Sequence, residues 1–513
     1  MLQIKNLTIT HKKDLRTILD KFSIVLNAGD KAVIIGEEGN GKSTLMKWIY
    51  DPEMVDDYTE CTGERISGGE TFGYLPQELP EADKEKTLYE YFAESEFFFD
   101  KNPRELSELA SNYKVPVDFF YSDQAMGSLS GGEKVKAQLM RLLMDNPTVL
   151  LLDEPSNDID ISTLELLEKL INGFEGIVLY ISHDETLIEN TANVIIHLEQ
   201  IKRKTKSRFT IVKDGYRNYI EQRDEAFARQ EQQALNDQRE KKIRDDKFNR
   251  VYNSVEHALS NVSRQDPSTA KNLKDKMHTV KAMGKRFERE DENMTEMPQK
   301  EEAIFFKLGT KDAAMPVGKT VIEYSLDVLK TPDKTRGLSK DIFLRVRGPE
   351  RICIVGTNGV GKTTLLKKIA EDLLERKDLR AEYMPQNYED LLDMDITPVE
   401  FLDSTGDKEI RTRIRTYLGA LKYTADEMDH PIRELSGGQK AKVLLLKMSL
   451  SDANVLILDE PTRNFSPLSG PVIRKMIASF PGAVISISHD RKYIDEVCTK
   501  VYELTENGLQ VRE

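Results

Sequence analysis

Two short stretches of the chain share the spacing G-x-x-x-x-G-K-[ST]. The first runs Gly36, Glu37, Glu38, Gly39, Asn40, Gly41, Lys42, Ser43, Thr44, and the second Gly356, Thr357, Asn358, Gly359, Val360, Gly361, Lys362, Thr363, Thr364. Each follows an apolar, strand-like run and opens a helical pattern, the context in which this spacing binds phosphate. Glycines let successive backbone N–H groups curl around phosphate oxygens, and the helix N-terminus adds the positive end of its dipole. Lys42 or Lys362 is placed to neutralise the β- and γ-phosphates, and the hydroxyl of Ser43 or Thr363 to reach Mg²⁺.

Further on, the four-residue apolar runs 149–152 and 455–458 end in Asp153-Glu154 and Asp459-Glu460. Such runs read as buried parallel strands, whose carboxyl ends face ligands in open α/β sheets. Asp153 and Asp459 are placed to hold the Mg²⁺ shell, while Glu154 and Glu460 can polarise a water beside the γ-phosphate. His183 and His489 follow apolar strands at 177–181 and 483–487, and are candidates to orient that water and the γ-phosphate. Gln77 (in Y-L-P-Q) and Gln386 (in Y-M-P-Q) can reach the metal or the water. The segments Leu129-Ser130-Gly131-Gly132-Glu133 and Leu435-Ser436-Gly437-Gly438-Gln439 precede helical sequence at 134–144 and 440–448, and each reads as a second anion-binding helix start capped by its serine.

These motifs form one tandem repeat. Ser130 to Asp153 and Ser436 to Asp459 are both 23 residues, and Glu154 to His183 and Glu460 to His489 are both 29. The expected fold is therefore α/β: two P-loop domains in tandem, 1–213 and 301–513, with 214–300 between them. Each copy owns two phosphate-grasping devices, redundant on one nucleotide, so a head-to-tail arrangement follows in which each P-loop faces the other copy's serine-glycine helix. The apolar runs stay far short of the roughly 18 residues of a membrane helix, and the N-terminus lacks a signal-peptide pattern, so a cytoplasmic monomer with no membrane domain is expected. Cys61, Cys353 and Cys498 are too scattered for a disulfide framework or a metal cluster.

P-loop, glutamine, serine-glycine signature, Asp-Glu pair and histidine, in this order and twice, resemble the ATP-binding-cassette ATPases. Two cassettes with a helical linker and no membrane domain resemble the ABC-F family of translation factors and ribosome-protection proteins. That resemblance implies ATP and Mg²⁺ at two composite sites. Lys42, Ser43, Gln77, Asp153, Glu154 and His183 would face Ser436, Gly437 and Gly438; Lys362, Thr363, Gln386, Asp459, Glu460 and His489 would face Ser130, Gly131 and Gly132. One departure is visible: after the first Asp-Glu-Pro the chain reads Ser156-Asn157-Asp158-Ile159-Asp160, near the family's T-N-H-L-D, whereas the second reads Thr462-Arg463-Asn464-Phe465-Ser466, without the aspartate. Unequal hydrolysis at the two sites is expected. His11 and Tyr324 are the aromatic candidates for stacking on adenine.

The net charge of −14 disfavours a nucleic-acid partner on average, yet Lys247 to Arg289 carries ten basic residues against four acidic ones. From 216 to about 289 the composition is helix-forming. Ala270, Leu273, Met277, Val280, Met283 and Phe287 form one seam, and Val251, Val255, Leu259 and Val262 a shorter one. With Asp266 as cap and Pro267 in the first turn, an antiparallel hairpin with its tip near 260–270 is expected. The family likeness implies that such a linker points to peptidyl-tRNA and the peptidyl-transferase centre of the 70S ribosome, bound near its exit site, and so to ribosomal RNA. The short intervals Gln77–Ser130 (53) and Gln386–Ser436 (50), and the end of the chain soon after the second copy, look more like the antibiotic-resistance branch. A housekeeping translation factor, the ATPase component of a membrane transporter and a chromosome-type cassette ATPase are the competing readings.

Overall fold

Lys31–Ile35 (β3), Val149–Asp153 (β6) and Ile177–Ile181 (β7) are almost wholly apolar, and every residue in them is buried, as parallel strands covered on both faces must be. They form the middle of a six-stranded sheet in a computed structural model that describes residues 1–201, 206–261, 267–291, 294–295, 297–298, 308, 313–403 and 405–512. Before them come β1 (Leu2–His11) and β2 (Thr17–Leu26), an antiparallel pair that β4 (Thr59–Ile66) extends to a three-stranded sheet. The six-stranded sheet has the order β5-β6-β7-β3-β8-β9, with β5 at Phe72–Leu75, β8 at Val194–Ile201 and β9 at Lys206–Val212; all neighbours are parallel except β8 and β9. Four helices of this copy position the motifs: α1 (Lys42–Tyr50) after the P-loop, α2 (Gly131–Met144) after the signature, α3 (Ile161–Gly173) and α4 (Glu185–Thr191).

Two long helices follow, α5 (Tyr216–Ser260) and α6 (Pro267–Asp291). They run antiparallel: Asp237 accepts from the Thr295 N–H, Arg244 pairs with Asp291, and Phe248 meets Phe287 edge-on at 5.8 Å. The expected hairpin is thus present. Of its seam, Leu273, Met277 and Phe287 are partly covered and Val280 is buried, but Met283 is 47% exposed. Gly284 takes the inner position instead, where an added Cβ would lie 3.1 Å from the Phe248 ring. Val251 also faces outward, at 51% exposure, with Tyr252 turned in. Asp266, Val262, the side chains of Pro267 and Ala270, and the boundary placed at 300/301 lie outside the described residues, while α6 does begin at Pro267.

The second copy repeats the plan. β10 (Thr320–Lys330) and β11 (Gly337–Arg347) form a two-stranded sheet with, among the described residues, no counterpart of β4. The main sheet has the same order, β13-β14-β15-β12-β16-β17, with β12 at Arg351–Val355, β13 at Ala381–Met384, β14 at Val455–Asp459, β15 at Ala483–Ile487, β16 at Lys500–Thr505 and β17 at Gly508–Arg512. Its helices are α7 (Lys362–Leu374), α8 (Gly437–Leu450), α9 (Gly470–Ala478) and α10 (Arg491–Val497). Both signature helices begin three residues earlier than their apolar pattern suggested, because Ser130 and Ser436 each build a capping box with the residue three positions on. Met1–Tyr216 and Glu302–Glu513 make one compact unit containing both copies, and Arg217–Glu301 makes a second. Among the described residues no helix is long and apolar enough to cross a membrane.

Candidate active site

The P-loops are shaped by close backbone approach. Gly36 has φ 147° and a Cβ there would lie 2.3 Å from the Leu198 carbonyl; Gly356 has φ 148° and would meet the Leu504 carbonyl at 2.5 Å. No L-residue fits either place. Lys42 is buried and donates to the carbonyls of Gly36 (2.9 Å) and Glu37 (3.2 Å), inside its own loop. Lys362 does the same with Gly356 (2.8 Å) and Thr357 (3.0 Å). Burial lowers the pKa of both amines, against the pull of the neighbouring Glu154 and Glu460. Asn40 is occupied by the fold: its Nδ2 donates to the Leu198 carbonyl at 2.9 Å.

The second P-loop opens into a cavity of about 550 Å³ whose walls come from both copies. Lys362, Thr363, Thr364, Gln386, Asp459, Glu460 and His489 line one side, and Ser130, Gly131 and Asp158 the other, so this P-loop does face the first copy's signature. The volume falls within the range that holds a drug-sized ligand. Asp158 bridges the two sides. Its carbonyl accepts from Asn358 Nδ2 (2.6 Å), and its carboxylate from Gln386 Nε2 (3.2 Å) and Arg463 Nη2 (2.9 Å). Both oxygens of Asp459 are buried without a hydrogen bond of normal geometry, although the nearby Thr363 hydroxyl offsets part of the effect of burial, which pushes the carboxyl up to about 6. An underused carboxylate beside a hydroxyl could hold a hard divalent cation whose remaining ligands are phosphate and water. Among the described residues no cluster of three His, Cys, Asp or Glu forms a cage of its own.

The first P-loop meets the second copy's signature more tightly. Glu38 Oε2 accepts from the Gly438 N–H at 2.6 Å, Glu37 lies 3.7 Å from Lys422 and 3.8 Å from Lys442, and the gap that Ser436 and Gly438 line holds about 30 Å³. Ser43 donates to Asp153 at 3.0 Å, and burial with the adjacent Glu154 raises the Asp153 carboxyl to about 6. Gln77 donates to Glu154 Oε2 at 3.0 Å, unlike Gln386, which reaches across to Asp158.

Glu154 and Glu460 each sit at φ 51°, their N–H groups held by the Ile181 and Ile487 carbonyls. A left-handed glutamate costs on the order of 1–3 kcal/mol, which the flanking β-strands offset. Their surroundings differ. Burial favours a neutral Glu154, but His183 (Nε2 3.2 Å from Oε1) and Lys42 outweigh it and hold the carboxyl at about 2. His183 Nδ1 also donates to the Phe465 carbonyl of the second copy at 2.7 Å. Glu460 accepts from the His489 backbone N–H at 3.2 Å, but the imidazole stays 3.7 Å away, and burial together with Asp459 pushes the carboxyl up to about 8. His489 Nδ1 lacks a partner, and burial followed by Lys362 lowers this ring to about 4.

The family model described as "ABC transporter" matches residues 19–157 and 339–463, together just over half of the chain. The chain belongs to the ATP-binding-cassette family. Its two copies are cassettes, and it is an ATP-binding ATPase. The chain is 27% identical to the "Ribosome protection protein VmlR" of Bacillus subtilis over 99% of its length and 88% of that protein's. It is 26% identical to the "Energy-dependent translational throttle protein EttA" of Haemophilus influenzae, over 96% and 90%. Both relatives lie in the ABC-F branch to which the tandem motifs pointed. An archaeal ribosome recycling factor, aABCE1, solved with the ribosomal stalk protein aP1, shares the fold with a TM-score of 0.61 at 19% identity, covering 99% of this chain and 89% of that one.

The cassettes also meet through residues that motif reading passed over. Arg474 pairs with Glu185 at 2.6 Å and Arg491 with Glu168 at 2.5 Å. Glu168 and Arg474 stand 15 residues after Asp153 and Asp459, and Glu185 and Arg491 two after His183 and His489, so the pairs are equivalent with their charges exchanged. The first cassette supplies both acids and the second both bases. Beside the second P-loop, Thr331, Pro332 and Leu338 line the cavity, and Tyr324 does not.

Proposed function

We propose that this chain is an ABC-F ATPase that works on the ribosome, binding near the exit site with its linker hairpin directed toward peptidyl-tRNA and the peptidyl-transferase centre, and that it protects the ribosome against antibiotics acting there. The carrying observation is the match, over 99% of this chain and 88% of the relative, to a protein named for ribosome protection, which spans the helical insertion as well as both cassettes. The excess of basic residues between Lys247 and Arg289 in an acidic chain supports contact with RNA phosphates.

At each composite site the P-loop amine, Lys42 or Lys362, leaves its own loop carbonyls for the β- and γ-phosphates. Ser43 with Asp153, and Thr363 with Asp459, would hold Mg²⁺, which when bound neutralises the phosphate charge. Gln77 and Gln386 would add a ligand to that ion or position the water. Glu154 and Glu460 take the proton from the attacking water, with His183 and His489 fixing it beside the γ-phosphate. The opposite serine-glycine helix closes over that phosphate.

Co-sedimentation of a Glu154→Gln, Glu460→Gln double variant with 70S ribosomes tests this reading. ATP-dependent trapping on ribosomes is the expected result. Absence from the ribosomal pellet with ATP, or ATP-dependent binding to membranes instead, overturns it.

A further inference from the structure

The first P-loop carries acids where the second carries Thr357 and Asn358. Glu38 is placed with purpose: its Oε2 takes the Gly438 N–H at 2.6 Å, and a Cβ added to Gly437 or Gly438 would lie 3.3 Å from one or other of its oxygens. The carboxylate therefore covers the first turn of α8, where the helix leaves N–H groups free and the dipole favours an anion. Ser436 and Gln439 are engaged with each other in the capping box and do not compete for it. At the other site the equivalent Asn358 is neutral and turned to the Asp158 carbonyl, leaving the first turn of α2 beside the 550 Å³ cavity.

We propose that Glu38 is a resident competitor of the terminal phosphate at the first site, so that this site favours a nucleoside diphosphate over a triphosphate. The proposal rests on the composite-site reading above. A γ-phosphate arriving at the first site meets a carboxylate already holding the signature helix and must displace it against like-charge repulsion. A diphosphate ends short of that helix and leaves the contact intact. Glu37, near Lys422 and Lys442, steadies the same loop against the second cassette.

The test uses the full chain with Lys362→Ala, which removes phosphate binding at the second site, titrated calorimetrically with ADP and with a non-hydrolysable ATP analogue. Glu38→Asn is expected to tighten the triphosphate analogue about tenfold, equivalent to about 1.4 kcal/mol, while ADP changes less than about twofold. Glu38→Gln, which keeps the shape and removes the charge, is expected to follow it. Equal shifts for both nucleotides, or an unchanged ratio in both variants, overturn the proposal alone. Failure of either nucleotide to bind the first site in any variant overturns the composite-site reading and the proposal with it.

Discussion

The two proposed composite sites are built from the same motifs at the same spacings, yet their surroundings are chemically unequal. The first has an ionised glutamate gripped by histidine, glutamine and asparagine, and a P-loop acid docked on the opposite signature helix. The second has a glutamate whose pKa burial and Asp459 push up to about 8, a histidine with a free Nδ1, and an open cavity. In a duplicated ATPase, identical motif letters set what a site can do, and the residues between them set what it does. Asn157, which bonds Glu154, is Arg463 in the second cassette, where it crosses to Asp158.

The largest effect that would break the comparison is on turnover. Glu460→Gln is expected to lower steady-state ATP hydrolysis by about 10²- to 10⁴-fold, the usual cost of losing a base whose pKa lies near the working pH, and Glu154→Gln by clearly less, because a carboxyl held at about 2 accepts a proton poorly. A phosphate-release assay checks both, and equal losses would remove the functional meaning of the asymmetry. Next comes the charge-exchanged seam. Arg474 is 3% exposed and Glu185 7%, so Arg474→Glu strands buried like charges and is expected to cost about 3–5 kcal/mol by chemical denaturation. Adding Glu185→Arg is expected to restore part of it and not all, because Glu496 and Asp490 also face position 474 and Lys492 faces position 185; no recovery at all would mean that the pair does not hold the cassettes in their unlike pairing.

A smaller effect concerns the loop after each Asp-Glu-Pro. Asp160 caps α3 through the Thr163 N–H, whereas α9 begins only at Gly470 and has no side-chain cap. Asp160→Ala is expected to cost about 1 kcal/mol and Ser466→Ala a few tenths, both read from thermal melts. The missing aspartate of the second cassette is therefore matched by a different helix start as well as a different cross-site contact. Smallest of all, Met283→Ala on the exposed face of the linker is expected to stay within about 0.5 kcal/mol, while Phe248→Ala, which removes the ring facing Gly284 and Phe287, costs more.

The tandem α/β fold and the hairpin were legible from short-range pattern and matched spacing, and the head-to-tail facing of P-loop and signature from the redundancy of two phosphate-grasping devices in each copy. Contacts between residues hundreds of positions apart were not. Nothing in Glu168 or Arg474 alone says which cassette it meets, and Glu38 reads as one more variable letter until α8 is seen beneath it. Met283 and Val251 were misplaced because the steps chosen to follow apolar letters leave the inner face, which Gly284 and Tyr252 occupy. Thr331, Pro332 and Leu338 beside the second P-loop belong to no motif, and their small and aliphatic side chains leave no aromatic letter to read.

The most direct test of this inequality is calorimetric titration of the unaltered chain with a non-hydrolysable ATP analogue and Mg²⁺. Two classes of site are expected, the tighter abolished by Lys362→Ala and the weaker by Lys42→Ala. A single class of two equal sites, or loss of the tighter class on Lys42→Ala, would contradict it.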